Sequence, residues 1–270
     1  MLRDYKAQLF CSTFGDIRNE IYERFSARRA KGVKIDPSLC FYNPYEVYTA
    51  LTSNERIIKW LEFISNHYTP PKTKVLLIYP CSAEKPYHES RSYKSLFRTL
   101  SKLGEKRKEI HLVTISEPFG LVPEEFYNKK LAWHDWGSSW YDCPGLFEWW
   151  CKKYRQPYSK EYLEKCVQIL ASYIAKFLER AKFMERYSKI IGFVRTYSSR
   201  LNLKADHTHR RMLELASEIS GVEIDLLPPK EIIAKIVSKR GRVAWDLYGV
   251  SHPIAQDYLF NYLRRLLDEN

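Results

Sequence analysis

The chain has 270 residues, and its 44 lysines and arginines exceed its 32 acidic residues, which gives a formal net charge of +12 at pH 7. With 45% hydrophobic residues and only 10 glycines, the composition excludes a mostly disordered chain and allows a large buried core. The positive charge makes nucleic acid the first class of partner to consider, although scattered basic residues also fit a surface that binds nothing.

The six cysteines form no CxxC pair and show no regular spacing, so neither a zinc knuckle nor a disulfide framework is expected. The first ten residues lack the apolar core of a signal peptide, and no run of about 18 apolar residues exists to span a bilayer. We therefore expect a cytoplasmic protein with reduced thiols and no contact with a membrane.

Apolar periodicity predicts four buried strands separated by helices, after an N-terminal segment of different character. In that segment a helix is expected over residues 16–30, and residues 36–52, which contain two prolines, are expected to be irregular and to lie over one edge of the sheet. The strands are expected at 75–79, 110–115, 189–194 and 222–226. The following helices are expected at 54–68, 92–103, 159–182, 207–220, 230–239 and 253–267.

Largely unbroken apolar strands that alternate with helices predict an α/β protein, a three-layer open sheet that is mainly parallel, with an N-terminal helical extension. We assign residues 1–53 to that helical and irregular extension and residues 54–270 to one α/β core domain. Open α/β sheets bind their ligands at the carboxyl ends of the strands, so the loops that follow the strands hold the candidate site residues.

The loop after the first predicted strand, PCSAEKPYHESRSY, runs from Pro80 to Tyr93 and contains a cysteine at the strand end. Cys81 is a candidate nucleophile if Lys85, His88 or the N-terminus of the following helix lowers its pKa. The alternative is a buried and inert thiol, which is common for cysteine.

Two further residues have a plausible chemical role on local sequence. Asp142 is an acid in an aromatic setting, which suits proton transfer, although an ordinary turn or cap role fits equally well. Arg195 follows the third predicted strand, with Tyr197 and Arg200 close by, and suits contact with phosphate or carboxylate. A solvated loop is the alternative for these three.

His207 and His209, next to Asp206, have a spacing that can bind a metal, but no third ligand is clustered with them. We therefore expect no metal, and we expect Asp206 to cap the following helix. Five of the seven tryptophans fall within residues 127–158. They predict either a hydrophobic cover over the sheet or a stacking surface for a planar base.

The loop sequence PCSAEKPYHESRSY resembles the signature of the core domain of archaeosine synthase, an archaeal tRNA-modifying enzyme related to tRNA-guanine transglycosylase. The segments PFGLVPEEF and WYDCPG resemble two further motifs of that family, in the same order along the chain. Tyr93 stands where the signature has its final histidine. Six of the seven signature positions match, namely Pro80, Cys81, Lys85, Pro86, Tyr87 and Ser90.

The resemblance implies transfer of free lysine, through its side-chain amine, to the nitrile of 7-cyano-7-deazaguanine in tRNA, with no cofactor. Either Cys81 adds first to give a thioimidate, or Asp142 donates a proton for direct attack by the amine. Lys85 is expected to be an orienting cation. The residues expected to contact substrate are Pro80, Tyr87, Ser90, Tyr93, Gly120 and Arg195.

The resemblance also implies partners: tRNA, free lysine, a radical lyase that acts on the product, and separate chains with a transglycosylase-like or a PUA domain. Because 270 residues leave no room for those two domains, we expect a free-standing core domain. Two other functions stay open, a non-catalytic tRNA-binding subunit and a glycosylase-like hydrolase that acts on a flipped base.

Overall fold

The computed structural model describes residues 18–23, 35–127 and 141–269, and its centre is one five-stranded sheet with the order β3-β2-β1-β4-β5. Neighbouring strands are parallel except for β2 and β3. The mainly parallel sheet is as predicted. The strands are β1 (Val75–Pro80), β2 (Ile110–Ser116), β3 (Gly120–Pro123), β4 (Lys189–Phe193) and β5 (Asp225–Leu227).

Helices cover both faces of the sheet, which completes the predicted three layers. The helices are α1 (Pro44–Ser53), α2 (Glu55–Glu62), α3 (Arg91–Ser101), α4 (Glu148–Lys153), α5 (Lys160–Phe183), α6 (Thr208–Ser220), α7 (Lys230–Arg240), α8 (Arg242–Tyr248) and α9 (Pro253–Asp268). A π-helical turn, Phe63–His67, extends α2 and packs with α5 and α6 as one group, while α3, α7 and α9 form the other.

β1 is the central strand, and its apolar run is buried because β2 and β4 flank it while helices cover both faces. Every side chain from Val75 to Tyr79 is fully buried. The ladder with β2 continues past the strand, since the backbone N–H of Cys81 donates to the carbonyl of Ile115 at 2.9 Å. This bond holds Cys81 at the carboxyl edge of the sheet.

The N-terminal segment differs from the prediction. Residues 36–52 were expected to be irregular, but α1 forms in the second half of this segment. Asn43 caps α1 by accepting a hydrogen bond from the N–H of Glu46 at 3.0 Å, and Pro44 occupies the first turn, where a missing N–H costs nothing. The proline that suggested irregular structure therefore marks a helix start. Of the helix expected over 16–30, residues 18–23 are described, and they are helical.

The loop that follows β2 also differs from the prediction, because part of it returns as the short antiparallel strand β3. Gly120 begins β3 with φ of +63°, a conformation that favours glycine. Trp60 on α2 covers this edge of the sheet, since its indole N–H donates to the carbonyls of Phe119 at 3.0 Å and Leu121 at 3.2 Å. α2 therefore covers this edge of the sheet, and α1 packs on α5.

The remaining predicted strands and helices are present with small shifts at their ends. β5 begins at Asp225 and not at residue 222, and α4 and α8 were not predicted. None of the five cysteines in the described ranges forms a disulfide. Within the same ranges, no helix combines the length and the apolar character needed to cross a membrane.

Candidate active site

A cavity of about 520 Å³ opens at the carboxyl edge of the sheet, where the chain leaves β1, β2 and β4. Because the chain passes from β1 to β2 on one side and later returns to β4 on the other, this edge is the topological switch point of the sheet. The walls come from residues within 80–83, 143–149, 207–209 and 246–251, together with Ser92, Glu117 and Arg195.

Three side chains from distant parts of the chain meet in this cavity. The thiol sulfur of Cys81 lies 3.8 Å from Nε2 of His209, and the same nitrogen lies 3.1 Å from Oε2 of Glu117. The hydroxyl of Thr208 donates to the other oxygen of Glu117. His209 and Glu117 are buried, whereas Cys81 is partly exposed toward the cavity. The arrangement joins a thiol, an imidazole and a carboxylate.

The sheet explains why these groups meet. Glu117 directly follows β2, the parallel neighbour of β1, so it reaches the same edge as Cys81. His209 lies in the first turn of α6, whose N-terminus points at this edge and carries a partial positive charge that favours the Glu117 carboxylate. The N-cap of α6 is His207, so the prediction of Asp206 as the cap is wrong.

The charges of the three groups stabilise one another. Burial by itself would raise the pKa of Cys81, but the hydrogen bond and charge of His209, and then the charge of Lys85, lower it below its ordinary value. Burial opposes protonation of His209, yet Glu117 and Cys81 raise its pKa. His209 in turn lowers the pKa of Glu117 despite burial. At neutral pH His209 is therefore an imidazolium and Glu117 a carboxylate, and the imidazolium increases the thiolate fraction of Cys81.

His207 lies beside this group with its ring centre 4.8 Å from that of His209. Burial and then the positive charge of His209 lower the pKa of His207 to about 3, so its ring is neutral. Nδ1 of His207 and Nδ1 of His209 are buried, and neither has a hydrogen-bond partner among the described residues. His209 is consequently the protonated histidine of the two.

Lys85 lies beneath the loop and not in the cavity wall. Its side chain is fully buried, and its amine donates to the carbonyl of Ser82. The amine also lies 4.4 Å from the ring centre of Tyr141 and 5.5 Å from that of Tyr87. Lys85 therefore acts on Cys81, which precedes it in the same loop, through its charge.

Asp142 is placed differently from the proton donor that the sequence suggested. It is fully buried and joins two segments through its backbone: its N–H donates to the carbonyl of Leu39 at 3.0 Å, and its carbonyl accepts from the N–H of Phe41 at 2.8 Å. The cavity wall contains the next residue, Cys143, and not Asp142. In the described cavity, His209 is the acid that faces Cys81.

The residues predicted to contact substrate divide into two groups. Pro80 and Arg195 lie in the cavity wall. Ser90 is buried as the N-cap of α3, and Tyr93 is buried with its hydroxyl bonded to the side chain of Thr114 and, at 3.3 Å, to the carbonyl of Pro80.

The other two predicted contacts also have structural partners. The hydroxyl of Tyr87 bonds that of Tyr141 at 2.5 Å, and Tyr141 in turn bonds Ser116. A side chain at Gly120 would come within 3.1 Å of Leu61, so this glycine fits close packing. Neither residue belongs to the described cavity wall.

The two described tryptophans of residues 127–158 lie in different places, one in the core and one in the cavity wall. Trp150 is buried and stacks on Tyr42 with 6.0 Å between ring centres, which is a core role. Trp149 is 61% exposed, lies in the cavity wall, and stacks on Phe147 at 5.9 Å. The other three tryptophans of this segment lie outside the described residues.

Glu117 and the position of His209 beside Cys81 were missed by sequence reasoning. His209 was considered only with its chain neighbours as a metal ligand, and Glu117 was not considered, although it follows a strand as Cys81 does. The ligand atoms of Cys81, Glu117 and His209 lie within 4.8 Å of one another, and these residue types also bind Zn²⁺. Of the two histidines considered from the sequence, only His209 belongs to this group, and its other two members come from distant parts of the chain.

Residues 57–218 match a protein family described as a domain of unknown function, DUF5591. The chain is also 30% identical over 183 residues to archaeosine synthase subunit alpha of Thermococcus kodakarensis, an alignment that covers 67% of this chain and 26% of the relative. The protein of the same name from Thermoplasma acidophilum is 29% identical over 51% of this chain and 22% of the relative. The one from Methanosarcina acetivorans is 30% identical over 48% and 18%.

The aligned part of the chain spans only about a fifth to a quarter of the length of these curated relatives. Among solved structures, the crystal structure of AF0587, a protein of unknown function, covers 67% of this chain and 48% of that chain at 17% identity, with a TM-score of 0.37. Since the family match extends over more than half of its residues, the chain belongs to the DUF5591 family and is related to archaeosine synthase subunit alpha.

Proposed function

We propose that this protein modifies tRNA by transferring lysine to the nitrile of 7-cyano-7-deazaguanine, as a catalytic domain of the archaeosine synthase type. The observation that carries the proposal is the 3.8 Å contact between the thiol of Cys81 and His209 at the wall of an open cavity. The curated relatives are named archaeosine synthase subunit alpha, which supports a role in the archaeosine modification of tRNA. The net charge of +12 supports tRNA as the partner.

The first step is addition of the Cys81 thiolate to the nitrile. A C–S bond forms at the nitrile carbon, one C–N π pair moves to nitrogen, and that nitrogen takes the proton of His209, which gives a thioimidate. Because His209 lies next to Cys81, it favours the thiolate form of Cys81 and is also in place to donate the proton. In this proposal His209 has the proton-donor role that the sequence suggested for Asp142.

The second step releases the cysteine. The neutral side-chain amine of lysine adds to the thioimidate carbon, the C–S bond breaks, and sulfur leaves with its electron pair as the thiolate. The proton lost by the amine returns to His209, so the product is an amidine and the site regains its starting charges. The sum is addition of an amine to a nitrile, which requires neither oxidation nor reduction.

The surrounding residues support these steps. Glu117 keeps His209 protonated, and Lys85 favours the thiolate through its charge. Phe147 and the exposed Trp149 form an aromatic wall on which a planar base can stack. The motif histidine is absent at Tyr93, but α6 supplies a histidine next to Cys81.

The decisive experiment incubates purified protein with nitrile-bearing tRNA and lysine and measures the mass of the RNA. We expect a gain equal to a whole lysine, because addition loses no atoms, and we expect no gain with Cys81→Ala. Cys166→Ala, a buried cysteine whose thiol contacts the carbonyl of Pro44, is the matched control. Circular dichroism of each variant checks that it is folded.

Omission of lysine separates the two chemical routes. The covalent route predicts an RNA–protein adduct at Cys81 that added lysine releases. Lysine transfer by a folded Cys81→Ala variant would eliminate this route. Release of free base without lysine would indicate a glycosylase, and tRNA binding without any mass change would indicate a non-catalytic subunit. Separate chains with transglycosylase-like or PUA domains stay predicted partners for tRNA docking.

A further inference from the structure

Arg195 is held in the cavity wall in a fixed orientation. It follows β4 closely, and its Nη2 donates to the backbone carbonyl of Asp246 at 2.8 Å. Its guanidinium lies 5.6 Å from the ring centre of Trp245. A side chain at Gly249 would come within 2.7 Å of Nε of Arg195, so the glycine leaves room for the guanidinium. These contacts orient the side chain before any ligand arrives.

The guanidinium is positioned without a carboxylate partner. Within the described ranges no acidic group lies close enough to Arg195 for an ion pair, and only one N–H of its five has a hydrogen-bond acceptor there. The group is half-buried. A partly desolvated cation with unused donors strongly favours an anion, and a carboxylate can accept two parallel bonds from it.

Asp246 places a negative charge in the same wall. Its carboxylate accepts a hydrogen bond from the hydroxyl of Ser199 at 3.0 Å, which fixes it next to the cavity. It makes no ion pair with Arg195 in the described structure, although the two residues touch through the Asp246 carbonyl. The wall thus contains one positive and one negative group. The protein holds each of them in place, and each can bind a ligand group of opposite charge.

We propose that Arg195 and Asp246 form the subsite for the α-carbon end of the amino-acid co-substrate, Arg195 binding its carboxylate and Asp246 its ammonium group. The inference rests on the proposed function, because it places the side-chain amine of the same amino acid toward Cys81 in one cavity. A phosphate of tRNA is the competing ligand for Arg195. The adjacent negative charge of Asp246 repels any anion at Arg195, but the ammonium group of a free amino acid offsets that repulsion, and a phosphate has no such group.

The test uses three amines that differ in one group each: lysine, 6-aminohexanoate, which lacks the α-amine, and 1,5-diaminopentane, which lacks the carboxylate. Their affinities are measured by calorimetry on the whole protein, and their kcat/KM values in the adduct assay. Arg195→Met keeps the packing on Trp245 and removes the charge, and Arg195→Lys restores a charge. Asp246→Asn removes the other charge. Arg264→Met, at an exposed arginine that lies over the ring of Phe260, and Asp257→Asn are the matched controls.

We expect Arg195→Met to weaken binding of lysine and 6-aminohexanoate by about 10- to 100-fold and that of 1,5-diaminopentane by less than about twofold. Asp246→Asn is expected to weaken the binding of lysine and of 1,5-diaminopentane, but not the binding of 6-aminohexanoate. Arg195→Lys should recover part of the loss. Equal weakening of all three amines by either variant, or loss of tRNA affinity with unchanged lysine affinity, would overturn the subsite.

The two proposals fail in distinguishable ways. If the two variants show the expected changes in amine affinity but no RNA adduct forms, the lysine transfer is contradicted and the amino-acid subsite stands. If an RNA adduct forms but both variants keep the amine selectivity of the wild type, only the subsite is contradicted.

Discussion

The thiol of Cys81 and the imidazole of His209 lie 3.8 Å apart although 128 residues separate them in the chain. Cys81 is held at the end of β1 by its backbone bond to Ile115, and His209 is held in the first turn of α6. The contact therefore depends on two elements that the sheet brings to the same edge. It lowers the pKa of a strand-end cysteine and places a protonated histidine beside it.

The first prediction concerns the reactivity of Cys81. Because His209 and Lys85 lower the pKa of Cys81, its alkylation by iodoacetamide should reach half of its maximal rate at a pH below the ordinary thiol value of about 8.5. His209→Gln should raise that midpoint and slow alkylation at pH 7 by about tenfold. Peptide mass spectrometry assigns the label to Cys81, and an unchanged midpoint in the variant would contradict the contact.

The second prediction concerns Glu117. Its carboxylate raises the pKa of His209, so Glu117→Gln should let His209 lose its proton at lower pH. The alkaline limb of the kcat/KM profile for lysine transfer should therefore move to lower pH, with a loss of about 10- to 100-fold above the new midpoint. Glu125→Gln is the matched control, because Glu125 also bonds a histidine, His111, away from the cavity. An alkaline limb that does not move would exclude this role for Glu117.

The third prediction concerns Tyr93, which replaces the motif histidine. Its buried hydroxyl bonds Thr114 and the carbonyl of Pro80, so Tyr93→Phe should reduce the free energy of unfolding by about 1–2 kcal/mol. Activity per folded molecule should stay near that of the wild type, because Tyr93 is not in the described cavity wall. Urea unfolding measures the loss, and Tyr45→Phe is the exposed control. A large fall in activity without a loss of stability would instead give Tyr93 a direct role.

The fourth prediction concerns metal. The proposed route uses Cys81 as a free nucleophile, so dialysis against a strong chelator should leave lysine transfer unchanged. The same three residues have ligand types that suit Zn²⁺, which makes this a strict test. Stoichiometric zinc in the purified protein, lost together with activity in Glu117→Gln and His209→Gln, would show that Cys81 is a ligand instead.

Local patterns were sufficient wherever burial alone decided the structure. The apolar run of β1 and the periodic helices α5, α6 and α9 follow from hydrophobic spacing, and they were predicted with small errors at their ends. The patterns failed at a proline and a glycine, because these residues occur in loops and also at the first position of a helix or strand. The proline at the start of α1 was taken as a break, and Gly120 was taken as part of a loop when it begins β3.

The sequence by itself determined the class of fold, the basic charge, and the place of Cys81 at the end of a buried strand, because these depend on composition and on near neighbours in the chain. Only the tertiary structure decided which groups lie beside Cys81. Glu117 and His209 meet it because β2 is the parallel neighbour of β1 and because α6 starts at the same edge. Periodicity reports which side chains are buried, but it carries no information on the order of the strands, and that order brings these three residues together.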